Sequence, residues 1–384
     1  MPFSSRIWNL NTTLTDVKTL VVKIGTSLLS SEKGFDGRVM ECVVKDLVAL
    51  KQARHLNILI VSSGAIGCGM AALGMKERPK VLPLKQATAA VGQSRLMHFY
   101  ETLFQTYGEG LRTAQVLLTA AELDNRKTYL NIRNTVHTLF DMGNVIPIIN
   151  ENDSVSTEEL KFGDNDTLAA KVAAKINADL LVLLSDVDGL FDMNPTVYPE
   201  AQLIPLVETV TEEIEKLAGD TRAQTSIGGM KTKLLAAKIA CAAGLSMVIA
   251  NGRRPYIVAD ILAGKAPCTM FGSSEATLSN RKRWIAFGRS AKGSIIVDAG
   301  ACRALIEQGK SLLAAGVKEV SGHFEMGSAV QIADTAQRPI AAGLVNYSSA
   351  DIDRIKGCKS SEIQSILGRK DFDEVIHRDN LVLL

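Results

Sequence analysis

The sequence predicts an α/β protein built on an open, mostly parallel sheet sandwiched by helices, followed by a small mostly-β barrel domain. Three observations predict it. Up to about residue 275, short apolar runs rich in β-branched residues alternate with longer segments of helical period. Those runs are apolar on both faces, as strands covered by helices on each side must be. Towards the end of the chain the periods shorten, and β segments such as "GSIIVDAG", "SAVQIAD" and "RPIAAGLVNYSS" are punctuated by glycines.

The first unit opens with "TLVVKIG" at 19–25, an apolar run that ends on a lysine and a glycine. A helical segment, 36–53, leads to the second strand, "LNILIV" at 56–61, which runs into "VSSGAIGCG". Helical period returns over 84–106, followed by the third strand, "TAQVLL" at 113–118. Helix 125–142 precedes the fourth, "VIPIIN" at 145–150, and helix 166–176 precedes the fifth, "LLVLLS" at 180–185. Helix 229–243, a sixth strand "SMVIANG" at 246–252 and helix 255–263 complete the pattern. Ligands of such sheets bind at the carboxyl ends of the strands. The loops after strands one, two, four and five are therefore expected to crowd one edge around one crevice. The stretch 264–284, rich in small and polar residues and ending in a basic triplet, is expected to be a boundary. The expected division is a catalytic domain over 1–275, a linker over 276–290 and a small β domain over 291–384, the last with short helices near 301–308 and 361–367.

A chain of 384 residues is too long for one ordinary core, and 46% hydrophobic with 22% charged residues describes a globular protein. A net charge of +2 gives no global reason to expect nucleic acid or an anionic membrane as the main partner. No apolar run approaches the ~18 to 20 residues of a membrane helix, and "MPFSSRIWNLNTTLTDVKTL" holds no signal-peptide core, so a cytoplasmic location is expected. The six cysteines form no CxxC pair and read as free thiols, mostly in the core. The five histidines form no HExxH, so a protein zinc site is not expected. Catalysis has to use other groups.

Lys23 sits in the last turn of the first strand, with Gly25, Thr26 and Ser27 just past it. A glycine there lets backbone N–H groups approach an anion, and the ammonium adds a point charge to the same phosphate. The motif is neither Walker A nor GxGxxG, and from these residues alone a glycine turn with a solvated lysine is the readier reading. "VSSGAIGCG" repeats the device at 61–69, where Ser63 can donate to a carboxylate or phosphate, or Ser62 or Ser63 can cap the next helix. "SIGGMKTK" at 226–233 opens a helix whose free N–H groups suit a phosphate. At ~100° per residue Lys233 lies about 200° from Lys231, beside the apolar stripe of Met230, Leu234, Ala237 and Cys241. Lys233 is thus the lysine expected to reach the crevice, a snorkelling lysine at the core edge being the alternative. "LLSDVDG" places Ser185 and Asp186 at the end of the fifth strand; calcium spacing fails there, leaving a nucleotide-contacting loop or a plain Asp-Gly turn.

The stretch "NENDSVSTEELKFGDND", 150–166, carries six carboxylates around one lysine. It divides into Asn150 to Asp153 at a strand end and Asp164, Asn165 and Asp166 at a helix start, joined by a solvated flap with Glu158 and Glu159. One carboxylate can serve the helix dipole, but the set exceeds what one cap needs. Carboxamides beside carboxylates suit an amino-acid ligand, since Asp accepts from an α-ammonium while Asn and Ser donate to a carboxylate.

In this order and at these separations, "VVKIGTSLL", "VSSGAIG", "NENDSVS", "KFGDND", "LLSDVDGL", "GGMKTK" and "ANGR" resemble the amino acid kinase family, in the branch that phosphorylates glutamate. "WIAFG", "GSIIVDAGACRAL", "GKSLLAAGV" and "GLVNYSS" are similar to the PUA domain that some members carry. The resemblance implies transfer of the ATP γ-phosphoryl group to the side-chain carboxylate of L-glutamate, giving L-glutamyl 5-phosphate, the first step toward proline. It implies that Lys23 and Lys233 neutralise the transferring phosphoryl and that Asp166 holds them in place. Ser63, Asp153 and Asn165 match glutamate-binding positions, with Asn150 and Asp164 beside them. Lys23, Gly25, Ser185, Asp186 and the run Ile227, Gly228, Gly229, Met230, Lys231, Thr232 and Lys233 match the ATP site. Ser226 and Ile227 depart from the family's usual glycine and threonine, so position 227 can offer its backbone but no hydroxyl.

A glutamate side chain, which ordinarily titrates at ~4.3, is ionised near neutrality and needs no general base, which fits the lack of a catalytic histidine. Mg²⁺ is expected to be held mainly through the phosphates, with no protein metal site. The family also implies feedback inhibition by proline and a homo-oligomer. An acetylated glutamate acceptor is the nearest alternative, and the acceptor groups around Asp153 and Asp164 favour a free amine. A second alternative is RNA binding through the PUA domain, with the basic run 281–283 and Lys292 on phosphates. A third, a regulatory amino-acid-binding protein without catalysis, is countered by both lysines being present.

Overall fold

A computed structural model describes residues 14, 16–31, 34–119, 122–123, 126–155, 165–218, 229–272 and 293–383. The chain divides into two compact units, Met1–Thr277 and Leu278–Leu384. The expected linker, 276–290, lies outside the described residues.

In the first unit, the strands are β1 (Thr19–Ile24), the two-residue β2 (Ser30–Ser31) and β3 (Gly34–Phe35), β4 (Asn57–Ser62), β5 (Arg112–Leu118), β6 (Val145–Glu151), β7 (Leu180–Ser185), β8 (Leu206–Val207), β9 (Ser246–Asn251) and β10 (Cys268–Phe271). The helices are α1 (Arg38–Arg54), α2 (Ala65–Leu73), α3 (Leu82–Tyr107), α4 (Arg126–Asp141), α5 (Asn165–Lys175), α6 (Glu212–Leu217), α7 (Met230–Ala242) and α8 (Ile257–Leu262). β2 and β3 pair only with each other, and the other strands form one sheet in the order β5-β6-β4-β1-β7-β9-β10-β8. From β5 to β9 every pairing is parallel, and β10 runs antiparallel to β9.

Because successive strand residues face opposite sides, each central strand feeds two cores. Leu20, Val22, Ile24, Ile58 and Ile60 pack with α1, α2, α3 and α8; Val21, Leu59, Val61, Leu181 and Leu183 pack with α4, α5 and α7. This is the helix-covered parallel sheet that the doubly apolar runs predict.

Several elements were not read from the sequence, among them the short β2, β3 and β8 and the helix Glu212–Leu217, and two more bear on the main sheet and its helices. "AIGCGMAAL" forms α2, although its small residues give no helical period. It is held by backbone proximity: a Cβ at Gly69 would lie 1.9 Å from the carbonyl oxygen of Thr88, and one at Gly92 1.8 Å from that of Ala65. The expected boundary at 264–284 begins too early, because Cys268–Phe271 is strand β10 of the main sheet. Thr269 looks like a loop residue in sequence, yet it is buried, with Oγ1 accepting from the N–H of Leu190 at 2.8 Å and donating to the Ile204 carbonyl at 2.6 Å.

In the second unit, β11 (Gly293–Val297), α9 (Ala299–Ile306), β12 (Val317–Gly322), β13 (Ala329–Ala333), β14 (Pro339–Leu344), α10 (Ser349–Ile355), α11 (Ile363–Leu367) and β15 (Leu381–Leu383) follow in order. Its sheet runs β12-β11-β13-β14-β15, with β11 parallel to β13 and the other pairings antiparallel. Ile295, Phe324, Val330, Ile332, Tyr347, Ile352 and Ile376 fill a separate core.

All six cysteines are free, but only Cys68 is fully buried and Cys42 is exposed, so the expectation of mostly core thiols is too strong. Their spacing carries no record of which helix face they occupy. Among the described residues no helix is long and apolar enough to cross a membrane.

Candidate active site

Lys23 follows Val21 on β1, so strand alternation delivers its side chain to the face covered by α5 and α7. There its Nζ meets Oδ1 of Asp166, in the first turn of α5. Lys233, from the first turn of α7, donates to the other carboxylate oxygen at 3.1 Å, and Thr232 Oγ1 donates to the same oxygen at 3.1 Å. Lys23, Asp166 and Lys233 are 4%, 0% and 6% exposed, so all three charges are withdrawn from water. Burial alone would push the Asp166 carboxyl up, but the charges of Lys23 and Lys233 outweigh it and hold it down at about 2. The expected helix geometry accounts for the choice of lysine: Lys231 and Lys238 are exposed and Lys233 is buried.

Gly25 stands beside this pair. Its N–H donates to the Leu184 carbonyl at 3.2 Å, and a Cβ there would come within 3.1 Å of that oxygen and 3.7 Å of Lys23 Nζ. A side chain would therefore crowd the strand crossing next to the ammonium.

The second group is a cluster of amides. Asn165, adjacent to Asp166 on α5, donates through Nδ2 to the Ser62 carbonyl at 2.8 Å, Ser63 Oγ at 2.9 Å and Asn150 Oδ1 at 3.0 Å. Asn150, at the end of β6, donates in turn to Gln93 Oε1 at 2.8 Å. Asn165 Oδ1 is buried and has no hydrogen-bond partner among the described residues. An orphaned buried carbonyl costs roughly 1–3 kcal/mol, which a ligand donor would recover. Ser62 and Ser63 do not cap α2: its N-cap is Gly64, at φ 104°, with no side-chain capping bond. Ser62 Oγ instead shares a 2.8 Å hydrogen bond with the hydroxyl of buried Tyr100.

Asp153 lies in the turn after β6. Burial raises its carboxyl above the usual range, and the charge of Arg78 offsets part of that rise. Binding a cationic group would reverse the shift.

On the other side of Lys233, α7 begins at Gly229 with no side chain capping it, and Met230, Lys231 and Thr232 form its first turn. Ser185, at the end of β7, donates to Asp186 Oδ1 at 3.0 Å, while Asp188 is committed to Arg254 at 2.9 Å. Ile227, Gly228 and Asp164, with the departures at Ser226 and Ile227 and the flap residues Glu158 and Glu159, lie outside the described residues.

The structure thus assembles two groups of expected residues: Lys23, Asp166 and Lys233 with Thr232, and Ser63, Asn150 and Asn165. Sequence reading missed Gln93, Ser62 and Tyr100. Gln93 and Tyr100 are seven residues apart on α3, two turns on one face, and each holds a different strand end. That spacing is the one signal the sequence offers for them.

A parallel sheet whose strand ends gather two lysines on one buried aspartate places the chain in the amino acid kinase family, to which it belongs: the family's sequence profile matches residues 18–251. The profile of the PUA domain matches residues 293–367. The curated relatives include a glutamate 5-kinase of Caldanaerobacter subterraneus subsp. tengcongensis, 47% identical over 366 residues, covering 95% of this chain and 97% of the relative. The glutamate 5-kinase of Moorella thermoacetica is 48% identical over 372 residues, covering 97% of each.

Proposed function

We propose that the protein transfers the γ-phosphoryl group of ATP to the side-chain carboxylate of L-glutamate, forming L-glutamyl 5-phosphate and ADP, the step that opens proline biosynthesis. One observation carries the reading: the Lys23–Asp166–Lys233 bridge lies one residue along α5 from the Asn165 amide cluster. A cation pair for phosphoryl oxygens and a polar socket for an amino acid are thereby fixed to one helical turn. The close glutamate 5-kinase relatives support the same reading.

A glutamate side-chain oxygen attacks the γ-phosphorus, the bond from phosphorus to the β–γ bridging oxygen breaks, and ADP leaves with the electron pair. No proton needs to move, so no general base is needed. The residues align the two substrates and neutralise charge on the phosphoryl oxygens. Lys23 and Lys233 provide the charge. Asp166 does not meet substrate; by holding both ammonium groups it fixes where they point. The first turn of α7 with Gly25 and the Ser185–Asp186 corner would receive the nucleotide, and Asp153, Asn165, Ser63 and Asn150 the amino acid.

Among the described residues no three His, Cys, Asp or Glu side chains converge as a metal site. Mg²⁺ is expected to be held mainly through the phosphates of ATP. Proline is expected to compete at the amino-acid socket, read as a rise in the KM for glutamate. For the second unit the PUA match supports RNA contact, tested by salt-sensitive retention of labelled RNA; the basic residues 281–283 and Lys292 lie outside the described residues.

An ADP-release assay with MgATP and glutamate, N-acetylglutamate or aspartate tests the proposal, with hydroxylamine to trap an acyl phosphate. Turnover and hydroxamate with glutamate alone are expected. Preference for the acetylated acceptor would overturn the assignment.

A further inference from the structure

We infer that Gln93 is a substrate-contacting residue whose side-chain N–H donates to the α-carboxylate of the amino acid, an inference that rests on the glutamate reading above. The carboxamide of Gln93 is oriented by the protein: its Oε1 accepts from Asn150 Nδ2 at 2.8 Å, which leaves Nε2 as the uncommitted branch. Nε2 makes no hydrogen bond to any described residue, yet it is not among the buried unpaired atoms of this partly buried side chain. It is thus an accessible donor beside the amide cluster.

The unmet capacity of the cluster matches the two ends of an amino acid. Asn165 Oδ1 is a buried acceptor without a donor, and Asp153 accepts no hydrogen bond from a described residue. Both suit an α-ammonium. An α-carboxylate needs donors, and the cluster spends most of its own internally: Asn165 Nδ2 serves three acceptors and Asn150 Nδ2 is taken by Gln93 itself. Gln93 Nε2 and the Ser63 hydroxyl are the donors left in the cluster. A carboxamide fixed at one end loses little freedom when it binds, so its hydrogen bond to an ionised carboxylate counts nearly in full.

Gln93→Glu tests the assignment. It retains an acceptor for Asn150 but replaces the donor with an acceptor facing the α-carboxylate. The KM for glutamate is expected to rise at least ~10-fold, the scale of a charge-assisted hydrogen bond, with the KM for ATP and kcat within a factor of ~3. The decisive probe is glutamate 1-amide, which keeps the reacting side-chain carboxylate and replaces the α-carboxylate with a donor-bearing amide. Measured as substrate or as competitive inhibitor, its constant should stay flat or improve, so the preference for glutamate collapses. Equal losses with both compounds would make Gln93 only a brace for Asn150, and no loss with either would remove it from the site; both outcomes overturn the inference. Gln93→Met is read on the same ratio should the glutamate variant fail to fold, and an unchanged preference in that folded protein also overturns it. Failure of the glutamate reading itself would be seen separately, as no ADP release from the parent protein.

Discussion

Asp166 carries two ammonium groups on one carboxylate, and both its chemistry and its stability effects follow from that. Lys233→Ala is expected to lower kcat at least ~10²-fold with the fold retained, because charge stabilisation of the transition state is lost. Single-turnover rates with saturating substrates measure this, and an unchanged rate would remove Lys233 from the chemistry. The Asp166 carboxyl lies at about 2 in the folded protein, below its unfolded value of ~3.9. Its ionised form therefore stabilises the fold above about pH 4, on the order of 2 kcal/mol, and that contribution disappears as pH falls through about 2. Asp166→Asn should lower the denaturant midpoint at pH 7, with the gap to the parent chain closing between about pH 4 and 2. A gap constant across that window would show that ionisation is not what Asp166 supplies. Lys233 was legible in sequence because helical angle decides where its side chain points; the residues around Lys23 left a solvated lysine open, and the family resemblance singled it out. The division of labour between Asn165 and Asp166 was legible only through the family resemblance: they are neighbours on one turn, and their partners arrive from β1, β4, β6 and α7, far away in the chain. Gln93 was illegible for a related reason, since a glutamine in a long helix reads as solvated until the opposite element is known.

At the scale of elements, α2 and α3 act together. Glycines at 69 and 92 let their backbones touch, and α2 starts from the loop that carries Ser63. Gly92→Ala puts a methyl group 1.8 Å from the Ala65 carbonyl, so α2 must shift. A loss of ~1–3 kcal/mol is expected, together with a higher KM for glutamate and little change for ATP. Thermal unfolding with paired substrate titrations checks it; a destabilised protein with normal KM would mean that the Ser63 loop does not follow α2. The long helices and the six central strands could be read from period alone, because each is long enough for its pattern to repeat. α2 and β10 could not. Small residues give α2 no polar face to mark, and β10 is four residues in a stretch whose composition suggests a boundary. In both, packing against distant partners decides what local pattern leaves open.

For the whole molecule, every described residue of the site lies in the first unit, which has its own two cores, while the second unit has its own sheet and core. A chain ending at Thr277 should fold and keep kcat within a few-fold of the parent. Loss of turnover in a folded truncated chain would require a catalytic contribution from the second unit. Asn165 and Asp166 give the enzyme a further property. One peptide unit joins the proposed amino-acid socket to the lysine clamp, so whatever steadies the first turn of α5 is shared by both. Occupancy of either pocket should then raise affinity at the other, and thermodynamic linkage requires the factor to be equal in both directions. Calorimetric titration of a non-hydrolysable nucleotide with and without glutamate, and the reverse, would measure that synergy twice from independent sides.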